Sequence, residues 1–181
     1  FCPHGDPSYP NDRVYLSLGL CSKIADELQE LDYRGAIILS GFGEPLLHPE
    51  IVEVCKILSR GGRLEIVTSG DRLTSSLLVD LLLAGVSYFA ISLYDGPHQI
   101  EHFQRLFELS TRELLGRKEP VFGLRDRWHG MDQDFGLKLT NRAGMVKAGN
   151  QPPVEVNRPC AYPSYSMTID WSGNVLLCMQ D

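Results

Sequence analysis

Between residues 20 and 125 the apolar positions switch repeatedly between helical spacing and short continuous runs. Ile24, Leu28 and Leu31 share one face of a helix predicted over residues 22–31. Ala36-Ile37-Ile38-Leu39 follows, a short apolar run between Gly35 and Gly41 that reads as a strand buried on both faces. Pro49 suits the first turn of the next helix, Ile51, Val54, Cys55 and Leu58 form its inner stripe, and Gly61-Gly62 ends it. The unit recurs. Leu64–Val67 reads as a strand, and Thr74 as the N-cap of a helix carrying Leu77, Leu78, Leu81 and Leu82, closed by Gly85. Tyr88–Ile91 is the next strand, followed by a long helix with Ile100, Phe103, Leu106 and Phe107 inward and Gly116 at its end. Val121–Leu124 is a weaker strand, and Leu137-Lys138-Leu139 a candidate for another.

Strands alternating with helices pair in parallel through right-handed crossovers. The fold class is therefore α/β, either a doubly wound sheet or a full or partial β/α barrel. In both, chemistry sits at the C-terminal ends of the strands. Four places follow: Ser40 to Pro45, Thr68 to Asp71, Ser92 to Asp95, and Arg125 to Trp128.

Past residue 128 the periodicity stops. Residues 129–165 are rich in Gly, Pro, Asn and Asp and read as loop. Met167 to Cys178 then reads as a β-hairpin, with Thr168, Ile169, Val175 and Leu176 as strand residues and Asp170–Asn174 as the turn. A domain boundary is expected near residue 145, giving units 1–145 and 146–181. No internal repeat other than the β/α unit occurs.

Composition narrows the picture. The chain has 181 residues, 43% hydrophobic and 22% charged, as a globular domain with a proper core requires. A net charge of -6 without a basic run argues against nucleic acid or an anionic membrane as partner. No apolar stretch reaches the roughly 20 residues that span a bilayer, and no signal peptide opens the chain. Five cysteines at wide spacing do not suit a secreted disulfide framework; thiols or metal-bound thiolates in a reducing cytosol fit better. The chain opens on Phe1 and ends three residues after Cys178, so further residues are expected at both ends.

Four groups of residues carry candidate chemistry, each beside a plainer reading. Cys2, before Pro3, sits in a loop ahead of the first β/α unit, where it is either an ordinary thiol or a ligand. In Gly41-Phe42-Gly43-Glu44-Pro45 the glycines let another molecule approach the backbone, and Pro45 holds Glu44 extended. Glu44, an acid at a strand's active end, calls for a cationic or amine partner; the alternative is a Gly-Pro turn with a solvated acid. Ser92 and Asp95, and Thr68, Ser69 and Asp71, either bind a ribose or amino acid or cap the following helices. Cys160 and Cys178 flank a hairpin turning at Gly173, a common way to grip zinc or an iron–sulfur cluster. Cys21, ahead of its helix, and Cys55, on a core face, read as structural. His98, His102 and His129 lack ligand-like spacing to the cysteines.

Together these residues resemble the radical S-adenosylmethionine superfamily. Phe1-Cys2-Pro3-His4 is similar to the tail of its C-x-x-x-C-x-x-C loop, Gly43-Glu44-Pro45 to its Gly-Gly-Glu-Pro motif, and Thr68-Ser69-Gly70 to its Thr-Asn-Gly, with Ser69 a departure. Cys160, Gly173 and Cys178 resemble the opening of a SPASM or twitch extension. The resemblance implies a partial parallel β/α barrel lacking its first strand, followed by a small hairpin extension, both truncated. It implies a [4Fe–4S] cluster on Cys2 and two upstream cysteines, two and six residues before Phe1, and an auxiliary [4Fe–4S] cluster on Cys160 and Cys178. It implies S-adenosylmethionine held by Gly41, Gly43, Glu44, Pro45, Ser69 and Ser92, with Glu44 near the methionine amino group and Ser92 on the ribose. Arg125 would meet the methionine carboxylate or a substrate anion. The activity implied is reductive cleavage of S-adenosylmethionine to a 5′-deoxyadenosyl radical that takes hydrogen from a peptide or small molecule. A flavodoxin- or ferredoxin-type donor would supply the electron, and this stretch alone is expected to be inactive. The competing class is a zinc- or cluster-binding interaction domain without catalysis, against which Glu44 and its glycines argue.

Overall fold

The computed structural model describes residues 13–41, 43–114, 121–129, 136–137, 159 and 161–177. The chain divides into two compact units, Ser17–Gly136 and a second drawn from Phe1–Leu16 and Leu137–Asp181.

The first unit runs α1 (Leu18–Glu30), β1 (Ala36–Leu39), a 3-10 turn (Pro45–Leu47), α2 (Ile51–Leu58), β2 (Arg63–Thr68), α3 (Ser75–Leu83), β3 (Val86–Leu93), α4 (His98–Glu108) and β4 (Phe122–Asp126). Helix α1 begins four residues earlier than periodicity alone suggests. Ser17 caps it, its Oγ accepting from the Leu20 N–H at 3.2 Å. Its buried positions are accordingly Cys21 and Ala25, while Leu31, expected inward, is 76% exposed. Helix α2 buries the four residues of its predicted stripe, Ile51, Val54, Cys55 and Leu58. Thr74 caps α3 as expected, accepting from Leu77 N–H at 3.2 Å. Helix α4 buries Phe103 and Phe107 and passes into a π-helical turn at Leu109–Leu114.

The four strands lie side by side in the order β1-β2-β3-β4, all parallel. Sequential order with parallel pairing means that every crossover returns the chain to the same side. Register shows which residues face the helices. Ile66, Phe89 and Phe122 lie in one row, and Thr68, Ile91 and Leu124 in another. Phe107 of α4 stacks on Phe122 (centroids 4.2 Å apart) and meets Phe89 edge-on at 5.5 Å. The alternate positions, Glu65, Val67, Tyr88, Ala90, Ser92, Gly123 and Arg125, point to the other face. Ile38 also lies there and is 53% exposed. The expectation that β1 is buried on both faces is therefore corrected: helices cover one face of β1, and Ile38 stands exposed on the other, whereas β3 further along the sheet buries Ala90 and Ser92 on that same side. The α/β class and the parallel sheet stand as expected; four strands in a row do not close a barrel.

Trp128–His129 (β5) and Gly136–Leu137 (β6) form a two-stranded sheet, of which the expected strand at 137–139 supplies only the first residue among those described. In the second unit, β7 (Thr168–Ile169) pairs antiparallel with β8 (Val175–Leu176), the hairpin expected there. Asp170 organises its turn by accepting from the N–H groups of Ser172 and Asn174 and from both their side chains, at 2.8–2.9 Å. These bonds hold its carboxyl down at about 2. No described helix is long and apolar enough to cross a membrane.

One-sided burial makes a quantitative contrast. Phe107→Ala, which empties the ring stack, should cost about 3–5 kcal/mol. Ile38→Thr on the open face should cost less than about 1 kcal/mol. Urea unfolding of the two variants measures both; equal losses would mean that the open face is packed after all.

Candidate functional site

Parallel pairing brings the C-terminal ends of all four strands to one edge of the sheet. Two clusters form along that edge, one across β1 and β2, the other across β3 and β4.

The first is built on Glu44. Pro45 keeps Glu44 extended (φ -99°, ψ 112°), at the start of the 3-10 turn. Its carboxylate Oε1 accepts from the Leu46 N–H at 3.1 Å and from Thr68 Oγ1 at 2.5 Å. Oε2 accepts from the Ser69 N–H at 2.9 Å and from Ser69 Oγ at 3.1 Å. A carboxylate has about four acceptor positions, and here four donors of the chain fill them. These hydroxyl and amide donors of the chain offset the cost of placing the Glu44 charge at the strand ends. Thr68, 3% exposed, also accepts from the Gly70 N–H at 2.9 Å. Gly70 has φ +82°, and a Cβ there would meet the Phe103 ring at 2.5 Å, so glycine is required on two counts. Gly41 (φ +129°) and Gly43 differ: among the described residues a Cβ on either would meet nothing within 4 Å. The loop from β1 therefore leaves open space beside exposed backbone, while Glu44 anchors it to the end of β2.

The second cluster joins Ser92 and Arg127. Ser92, 3% exposed, is paired in register with Arg125, which is exposed. Arg127 donates its backbone N–H to Leu93 O at 3.1 Å, one step past β4. Its side chain donates to Ser92 Oγ from Nε at 3.3 Å and Nη2 at 3.2 Å. Sequence reasoning named Ser92 and Arg125 but missed Arg127; strand alternation from Arg125 to residue 127 was the signal that could have found it. None of the ion pairs among the described residues involves either arginine. Asp95 exchanges hydrogen bonds with the Gln99 side chain, its N–H donating to Gln99 Oε1 at 3.0 Å and its carboxylate accepting from Gln99 Nε2 at 3.3 Å, while α4 has no side-chain cap.

The cysteine ligand set, Cys2, Cys160 and Cys178, lies outside the described residues. Among the described residues no three His, Cys, Asp or Glu side chains converge on a metal position. Cys21 and Cys55 are buried and free, packed between α1 and α2. Burial pushes the Cys21 thiol up, and burial followed by the neighbouring Cys21 pushes Cys55 up to about 12. Buried protonated thiols are poor ligands, in keeping with a structural role. His98 and His102 line a shallow groove of about 460 Å³ on the helix side, with Ser75, Glu101 and Arg105.

No family model matches the chain. A curated relative, the S-adenosyl-L-methionine-dependent 2-deoxy-scyllo-inosamine dehydrogenase of Niallia circulans, is 26% identical over 192 aligned residues, which take in 100% of this chain and 68% of the relative. The crystal structure of BtrN in complex with AdoMet and 2-DOIA superposes with a TM-score of 0.74 at 24% identity, covering 99% of this chain and 67% of that one. A selenomethionine form of BtrN in an open conformation gives 0.59 at 22% identity, over 92% and 58%. The likeness to these structures establishes the fold. These findings also correct the assignment to a superfamily member with a SPASM or twitch-type extension. No model of such a family matches, and the match that is found is to a dehydrogenase dependent on S-adenosylmethionine. The physical basis of that assignment, two cysteines closing on one hairpin, lies outside the described residues.

Two outcomes check this geometry. Glu44→Gln turns one acceptor oxygen into a donor and strands a pair of partners, so stability should fall by about 1–3 kcal/mol in urea unfolding. For the thiols, a folded-state pKa raised above the ordinary value of 9.0 adds stability that is complete below that pH. That stability should drain away as the pH rises from 9.0 toward about 12. Cys55→Ala should flatten the alkaline limb of a pH–stability curve; an unchanged limb would contradict the assignment.

Proposed function

We propose that the chain is the core of an S-adenosylmethionine-dependent oxidoreductase working by radical chemistry on a small molecule. The observation that supports it most is the chain-long likeness to a dehydrogenase of that dependence, joined to a strand-end edge built for a ligand. The chain spans about two thirds of that relative's length, at 68%. A [4Fe–4S] cluster, with Cys2 among its ligands, would supply the electron that cleaves S-adenosylmethionine to methionine and a 5′-deoxyadenosyl radical. Cys160 and Cys178 would hold a second cluster.

The chain's own residues then bind and orient. The open backbone of Gly41 and Gly43 receives the methionine moiety, whose amino group needs carbonyl acceptors, since the Glu44 carboxylate is already filled. Glu44 and Pro45 fix that loop, and Ser69 completes its hold on β2. Ser92 meets the ribose. Arg125, exposed on the open face, takes the methionine carboxylate or an anionic group of the substrate. In this reading the uncovered face is the lumen side of a partial β/α barrel, and the substrate lies against it. A flavodoxin or ferredoxin is the electron donor.

Anaerobic iron–sulfur reconstitution of the full-length protein, reduction with dithionite and chromatography for 5′-deoxyadenosine test the reading. The expected result is 5′-deoxyadenosine and methionine in equal amounts. Iron bound without any cleavage would favour a non-catalytic cluster-binding domain instead.

A further inference from the structure

We infer that His98 and His102 form a chelating pair for a divalent transition-metal ion such as zinc, on the outer face of α4. The two histidines stand four positions apart, so they share one face of the helix, about 6 Å from each other along its axis. Helical geometry already holds at Pro97 (φ -59°, ψ -26°), so His98 belongs to a formed turn. Both side chains are exposed, and both line the same groove, where Ser75, the first residue of α3, joins them. Neither imidazole makes a hydrogen bond among the described residues. A neutral imidazole carries one acceptor nitrogen, so each ring has a lone pair to give.

Imidazole suits zinc, nickel and copper, and two histidines at this spacing on one helix face hold zinc in metalloprotease helices. Glu101, on the same face, is not a third ligand, because its carboxylate accepts from Arg105 Nη2 at 2.7 Å. Among the described residues no third imidazole, thiolate or carboxylate joins the pair, so water completes the coordination and the site is open and exchangeable. The His102 ring meets buried Phe103 edge-on, centroids 5.0 Å apart, which limits how it can turn. The dipole of α4 works against a cation in its first turn; Asp95, an exposed acid just ahead of the helix, offsets it. Helices α3 and α4 each start from the end of the strand they follow, so the groove lies at the same edge of the fold as the Glu44 and Ser92 clusters, but in the helix layer. A bound ion therefore braces the first turns of α4 without entering those clusters.

The test is titration calorimetry of zinc chloride into the full-length protein, purified anaerobically, for the unsubstituted protein, His98→Asn, His102→Asn and a double variant carrying His102→Gln with Gln104→His. The double variant keeps every histidine but moves one off the shared face of the helix. All the exchanged side chains are exposed, so folding is unaffected. Zinc held by cysteines is common to the four proteins and cancels in the comparison. The unsubstituted protein should take up one more equivalent of zinc than any variant. That equivalent should also raise its melting temperature above theirs, since an ion bound only by the folded helix stabilises it. Equal zinc uptake by all four proteins would overturn the inference. An extra equivalent retained by the double variant would do the same, since the binding would then be adventitious and independent of the pairing.

Discussion

The Glu44 carboxylate is the tie on which the rest of the strand-end edge depends. It spends both oxygens on donors from its own chain, one pair shared between its own turn and Thr68, the other from Ser69. Those bonds join segments 24 and 25 residues apart. Without them the glycine loop after β1 would be tethered only at its ends, and closing a loop entropically costs more than holding one already closed. With them, the exposed backbone of Gly41 and Gly43 is presented at a fixed position beside β2. A charged residue here organises the strand-end edge by spending its acceptors within the chain.

Legibility in the sequence followed the range of the interactions. The stripe of α2, the cap at Thr74 and the hairpin at Asp170 are decided by residues within a few positions of each other, and they were readable. The start of α1 was misplaced because a single hydroxyl at Ser17 outweighs the apolar spacing that begins later. The exposure of Ile38 was missed because an apolar run says nothing about how many layers will cover it. Glu44 was legible as an acid at a strand end, but its contacts with Thr68 and Ser69 were not, since these lie at the end of the next strand. Arg127 could have been flagged by strand alternation from Arg125, but its contact with Ser92 could not, since it exists only once β3 and β4 are in register.

The two strand-end clusters share one logic. Each sets a short polar group by a residue that follows another strand: Ser69 by Glu44 beyond β1, Ser92 by Arg127 beyond β4. Preorganised groups bind without first losing rotamer freedom. The buried thiols of Cys21 and Cys55 show the contrast, since their surroundings suppress ionisation and leave them to packing.

The sheet sorts its residues by parity. Leu64, Ile66, Phe89, Ile91 and Leu93 pack toward the helices, while Glu65, Val67, Tyr88, Ser92 and Arg125 occupy the alternate positions. Substitutions in the second set leave the first set's packing intact. The two-residue period of the strands thereby separates the positions that hold the sheet to its helices from those left free to vary.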